Sequence, residues 1–263
     1  MAPRWLPRAL RRDLLTIYGF ARLADQLGDD EPGDRKELLD ALESELHLAF
    51  EGRATLPLLS DLAATARQRE LPREPFLALI DANRRDQVVT RYASWSELEG
   101  YCALSANPVG HLVLALFDAA SPERTLRSDD ICTALQLIEH CQDVAEDLGR
   151  GRIYLPGDER ARFGVSEEDL RRSPAPEPLR RLLAFEAERA RGLLRRGEPL
   201  LAALPWLARL CIAGFVAGGH AALDALARAG FDATSHVVAP RRRDVARHAV
   251  RLLWRASWPG ARR

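Results

Sequence analysis

Lysine is nearly missing from this chain: of 38 basic residues only Lys36 is a lysine, and the arginine bias reads as composition, not function. Net charge is missing too, because 38 acidic residues balance the basic ones, so no overall field recruits nucleic acid. Cysteine is scarce. Cys102, Cys132, Cys141 and Cys211 form no CxxC pair, which excludes a zinc site or a disulfide framework and fits buried thiols in a reducing, cytoplasmic setting. The N-terminal MAPRWLPRALRRDLL lacks the uninterrupted apolar core and small-residue cleavage site of a secretion signal. The most apolar stretch, Leu200 to Ala217, is interrupted by Pro205 and Arg209, which favours a buried core helix over a membrane span. Finally, no stretch alternates with period two for long enough to build a sheet.

What is present is a globular composition, 47% hydrophobic and 29% charged over 263 residues, with helical periodicity almost throughout. Nothing forces a division, so one domain over 1–263 is expected, its motif-bearing core spanning about 5–230. The first helix runs from Leu10 and stops at Pro32-Gly33. Others are expected over roughly 35–50, 54–70, 74–92, 95–119, 128–148, 177–196, 206–229 and 241–256, bounded by Gly, Pro and Ser turn residues. The expected fold class is all-α, long helices around a central cavity.

The chemistry gathers where helices end. Asp25, Asp29 and Asp30 in ARLADQLGDD, and Glu139, Asp143, Glu146 and Asp147 in LQLIEHCQDVAEDLGRGRIYLP, sit at helix C-termini, where the macrodipole disfavours carboxylates. Asp25 with Asp29, Glu139 with Asp143, and Asp143 with Asp147 are also like-charge i,i+4 pairs, each costing roughly 0.2–0.5 kcal/mol. A cation must offset this, and Mg2+, which bridges carboxylates to phosphates, suits a bound diphosphate. Ser128-Asp129-Asp130, by contrast, reads as an ordinary N-cap with an acidic first turn. Tyr18, Arg22, Asp25 and Asp29 are spaced four, three and four, hence one stripe. Gln136 precedes Glu139 by about a turn, while His140 and Cys141 point away and read as packing or surface residues.

Three other features stand out. Asn107-Pro108 must kink or break a helix, either opening backbone to a ligand beside Gly110 or simply bending around a core. The stretch GRGRIYLPGDERARFGV reads as a polar loop, either a lid whose Arg150, Arg152 and Tyr154 close over phosphate or a solvated arginine loop. Arg241 to Arg263 holds eight arginines, one aspartate, Trp254 and Trp258, suiting either an anionic membrane surface or a solvated terminal helix.

Together with YGFARLAD, RRDQVVTRYASW and YCALSANPVGHLVL, the two acidic motifs resemble the squalene and phytoene synthase family, most closely its bacterial hydroxysqualene synthase branch, over about residues 5–230. The resemblance implies a single-domain, all-helical isoprenoid-synthase bundle around a central active-site cavity. It implies Mg2+ held by Asp25 and Asp29 and by Glu139, Asp143 and Asp147, with Asp30 and Glu146 in supporting positions. It further implies that Arg22 contacts phosphate, Tyr18 lines the same site, Tyr101 stands near the reacting centre and Gln136 beside the diphosphate. Glu139 stands where condensing members typically carry asparagine, which fits the branch that rearranges a preformed product.

The expected reaction is Mg-dependent conversion of presqualene diphosphate to hydroxysqualene and pyrophosphate. The alternatives are head-to-head condensation of two prenyl diphosphates, such as farnesyl diphosphate, to presqualene diphosphate or phytoene, and a catalytically silent assembly protein. A flavin-type reductase acting next is implied as a partner by the resemblance, while the basic C-terminal segment suits a peripheral place at the inner membrane face. The chain also departs from the pattern. The family's segment before the first motif, which contributes a serine and an aromatic, is expected to be largely missing, since the sequence opens Met1-Ala2-Pro3. Gln26 follows Asp25 where another aspartate is common, and Gly219 replaces a tyrosine of many phytoene-type members.

Overall fold

The computed structural model describes residues 5–29 and 31–257. Twelve α-helices occur among them: α1 Arg8–Asp29, α2 Arg35–Phe50, α3 Pro57–Arg69, α4 Glu74–Arg85, α5 Trp95–Ser105 and α6 Asn107–Leu116, then α7 Pro122–Gln142, α8 Val144–Gly149, α9 Gly157–Phe163, α10 Glu177–Gly197, α11 Trp206–Arg228 and α12 Arg242–Ser257. The described residues contain no strand, only an isolated parallel bridge between Arg91 and Ile153, so the all-α expectation holds. Cα packing divides the chain into two compact units, Met1–Val89 with Ala103–Thr125, and Thr90–Cys102 with Leu126–Arg263.

In the first unit, α1 buries Ile17, Phe20, Ala24 and Gly28, a three-and-four stripe that packs against α2, α3 and α4. Phe20 meets Phe76 edge to face at 5.1 Å, within a core of leucines from α2, α3 and α6. Asp34 caps α2 by accepting from the backbone N–H groups of Lys36 and Glu37. Asp13 is fully buried on the same side of α1, and Arg69 neutralises it at 2.9 Å. In the second unit, α10 and α11 pack together, and α12 packs along α11. α11 is the one described helix with the length and apolarity of a membrane span, but 67% of that stretch is buried inside the protein, as a core helix requires.

Three sequence expectations change, and one is met. The segment 128–148 is not one helix beginning at Ser128: α7 begins at Pro122, whose missing N–H costs nothing in a first turn, after Ser121. Ser128 is buried within the helix, and Asp130 instead accepts from Arg196 at 2.7 Å. The helix expected over 74–92 ends at Arg85, because residues 90–93 are captured by a later segment. Ile153 N–H donates to Thr90 O, and Gly157 and Asp158 N–H donate to Tyr92 O and Ala93 O, each at 2.9 Å. The break expected at Asn107-Pro108 is present: the segment 95–119 splits at Ala106, two residues before Pro108, into α5 and α6. The polar loop expected over 149–165 is no lid: Arg152 to Pro156 are buried, and Gly157–Phe163 is helical, closed by Gly164 at φ 69°. Ile153, Tyr154 and Leu155 supply the apolar anchor that the flanking arginines disguise.

Candidate active site

At the C-terminal end of α1, Tyr18, Arg22 and Asp25 are exposed and Asp29 half-buried, so the predicted stripe faces away from the core stripe. Asn83 of α4 reaches this end. Its amide donates to Asp25 Oδ1 at 3.4 Å and to Leu79 O at 3.0 Å, while Gln87 donates to Gly28 O at 3.0 Å. Although Asp25 is exposed as a residue, desolvation of its carboxyl against the neighbouring helix raises its pKa, the Asn83 bond opposes this, and the neighbouring Asp29 charge raises it further. Asn83 carries no motif signal in the sequence. Gly28 makes the approach possible, since a Cβ there would lie 2.4 Å from Asn83 Oδ1. Gly28→Ala should therefore cost about 1–3 kcal/mol, read as a fall in Tm; an unchanged Tm would refute this account of the α1–α4 contact.

The second acidic group lies on α7 and α8. Glu139, Asp143 and Asp147 keep the i,i+4 ladder, with Asp143 N–H bonded to Glu139 O and Asp147 N–H to Asp143 O, at 2.9 and 2.8 Å. Asp143 nonetheless leaves helical geometry, at φ −104° and ψ 18°, and its side chain caps nothing. Asp143 is itself exposed, yet partial desolvation of its carboxyl raises the pKa, and the Asp147 and Glu146 charges raise it further, against His140 and Arg150. Glu139 and Glu146 are exposed, and Glu146 pairs with Arg150 at 3.1 Å. Asp30 lies outside the described residues.

Beside these carboxylates stands an aromatic wall that the sequence did not reveal. Three of the four tyrosines meet there: Tyr92, Tyr101 and Tyr154 have ring centroids 5.4–5.7 Å apart. His140 stacks on Tyr154 at 3.8 Å, and its Nδ1 lies 3.7 Å from Asp147 Oδ2. Gln136 Nε2 is 3.4 Å from His140 Nε2. His140 is thus a packing residue as expected, but it faces Gln136 and Asp147 instead of turning from them. The missed signal was its i,i+4 spacing from Gln136. His140, Val144, Asp147, Arg152, Ile153, Tyr154, Leu155 and Leu170 line a cavity of about 10 Å³, near the space one water needs. Arg152, Tyr101 and Tyr154 are all buried.

Among the described residues, no three His, Cys, Asp or Glu side chains converge tightly enough to hold a metal by themselves. Mg2+ does not require that. It is ordinarily held by one or two carboxylates, waters and substrate phosphates, and paired carboxylates a turn apart, one with its pKa raised by desolvation and by its neighbours' charge, fit this role.

The sequence profile of the squalene/phytoene synthase family matches residues 1–252. A hydroxysqualene synthase of Rhodopseudomonas palustris is 37% identical over 204 residues, 75% of this chain and 68% of that protein. A phytoene synthase of Arthrospira platensis is 32% identical over 214 residues, 76% of this chain and 69% of that protein. The chain thus spans about two-thirds of the length of such relatives. The crystal structure of squalene synthase HpnC from Alicyclobacillus acidocaldarius superposes with a TM-score of 0.81 at 44% identity, covering 86% of each chain. With a profile match over nearly its whole length and a fold shared with a solved member, the chain belongs to the squalene/phytoene synthase family, a family of isoprenoid synthases.

Proposed function

We propose that this chain converts presqualene diphosphate to hydroxysqualene with release of pyrophosphate, in a Mg-dependent reaction. The observation that carries this is the junction of acid and aromatic chemistry at His140, which touches Asp147 and stacks on Tyr154. A leaving diphosphate needs carboxylates that share a metal, and the cation left behind needs a dry, electron-rich wall. Mg2+, when bound, supplies positive charge to the departing pyrophosphate. Asp25, Asp29, Glu139, Asp143 and Asp147 are the proposed metal carboxylates. Arg22, Gln136 and Arg152 serve the diphosphate oxygens, with Asp30 and Glu146 in support.

The aromatic groups of Tyr101 and Tyr154, packed with Tyr92 and His140, stabilise positive carbon by cation–π attraction, and Tyr18 lines the diphosphate side. The carbon–oxygen bond to pyrophosphate breaks, the cyclopropane opens, and one water adds its oxygen to the cation and releases a proton. The hydroxysqualene synthase relatives support this branch. So does Gly219, where a Cβ would lie 2.8 Å from the Leu135 side chain and 3.2 Å from that of Leu194, so that a phytoene-type tyrosine would have to displace both.

The phytoene synthase relative keeps the condensing alternative in view. Purified protein incubated with Mg2+ and presqualene diphosphate is expected to release hydroxysqualene, and with farnesyl diphosphate alone nothing. A condensed product from farnesyl diphosphate would transfer the assignment to a prenyltransferase. Failure of both substrates together with no Mg-dependent pyrophosphate binding would leave a silent family member.

A further inference from the structure

α12 is tied to the second unit on one side only. Asp244 pairs with Arg228 at 3.0 Å, His248 and Arg247 reach Asp224 at 2.8 and 3.0 Å, and Leu252 is buried. The opposite face carries Arg243, Val250, Arg251 and Trp254, which the helical repeat brings to one side. Its apolar members are held out in water: Val250 is 69% exposed and Trp254 59%. Asp244 is the only acidic residue of α12 and is buried on the inner side, so this outer face has no carboxylate. Among the described residues neither Arg243 nor Arg251 has an ion-pair partner. In sequence, Trp258, Arg262 and Arg263 follow.

We infer that the outer face of α12 docks the protein on an anionic lipid bilayer. A merely solvated helix has no use for an outward tryptophan and valine among arginines. An acidic protein partner would match the charge but not the aromatic, whose amphipathic ring suits the boundary between headgroups and acyl chains. Arginine stems lie along apolar surface while their heads reach lipid phosphates. The inference does not depend on which prenyl diphosphate the enzyme takes. It places the protein at the phase where long isoprenoid chains dissolve.

The full chain should co-sediment with vesicles of phosphatidylcholine and phosphatidylglycerol, less so in high salt, and not with phosphatidylcholine alone. Each arginine near an anionic surface is worth roughly fivefold in partition, so Arg243→Ser with Arg251→Ser should weaken binding about 25-fold, with Tm unchanged. Trp254→Ala should reduce the quenching of tryptophan fluorescence by brominated acyl chains. Equal binding to neutral vesicles, or full binding by the double arginine variant at unchanged Tm, would overturn the inference. Salt-sensitive binding to polyglutamate as tight as to anionic vesicles, without acyl-chain quenching, would overturn it in favour of an acidic protein.

Discussion

Asp143→Ala is expected to abolish turnover, lowering kcat by at least about a thousandfold while leaving Tm unchanged or slightly higher. The carboxylate is crowded by Asp147 and Glu146 and caps no helix, so the fold gains nothing from it. Removing it relieves like-charge repulsion of a few tenths of a kcal/mol. A shared metal at a departing pyrophosphate is worth several kcal/mol of transition-state stabilisation, and about 4 kcal/mol is about a thousandfold in rate. Calorimetric titration of Mg2+ with pyrophosphate into the variant should show binding lost or much weakened. A wild-type rate in Asp143→Ala would end the metal assignment, whereas a collapsed Tm would show that the residue is structural.

Arg189→Ala should be the most damaging substitution for stability, at about 3–5 kcal/mol, because it strips the cation from a buried group of charges. Arg189 of α10 bonds Glu159 of α9, with one contact at 3.0 Å, and Glu186 one turn earlier, and its guanidinium covers the Trp95 ring at 4.4 Å. Glu186 is fully buried and Glu159 nearly so. Burial, and then the hydrogen bond with Glu159, push the Glu186 carboxyl up to about 9. Burial works against the Glu159 charge as well, but bonds from Arg189 and Glu186 outweigh it and hold that carboxyl below its usual range. The pair therefore shares one proton, carried by Glu186 at neutral pH.

A pH dependence follows. The folded chain keeps that proton up to about 9, while the unfolded chain releases it near the ordinary 4.5. Stability is thus fully present below about 4.5 and falls as pH rises towards about 9. Glu186→Gln, which keeps the shape and cannot ionise, should flatten this decline in denaturant titrations. The same slope in both proteins would contradict the shared proton.

Local chemistry was readable and partnership at a distance was not. The periodicity of 35–50 and 177–196, and the break imposed by Pro108, are properties of a few consecutive residues, and they reappear as α2, α10 and the gap between α5 and α6. The stripe Tyr18, Arg22, Asp25 and Asp29 follows from helical spacing alone. The start of α7 was misplaced because Ser128-Asp129-Asp130 has cap chemistry, while Asp130 answers to Arg196, 66 positions on. Tyr92, Tyr101, His140 and Tyr154 come from four separate segments, so no window of sequence contains the aromatic wall. Ile153 to Leu155 read as loop because their arginine neighbours set the local polarity, although the bond from Ile153 to Thr90 makes them interior.

Gly219 ties three positions into one unit of change. With the Leu135 and Leu194 methyls already against the space where its side chain would project, a tyrosine at 219 has to displace both of them. Smaller residues at 135 and 194 would ease that entry, while the same changes made alone would leave a cavity. A change between this packing and a tyrosine-bearing one therefore draws on all three positions. Double-mutant cycles across 135, 194 and 219 should accordingly be far from additive.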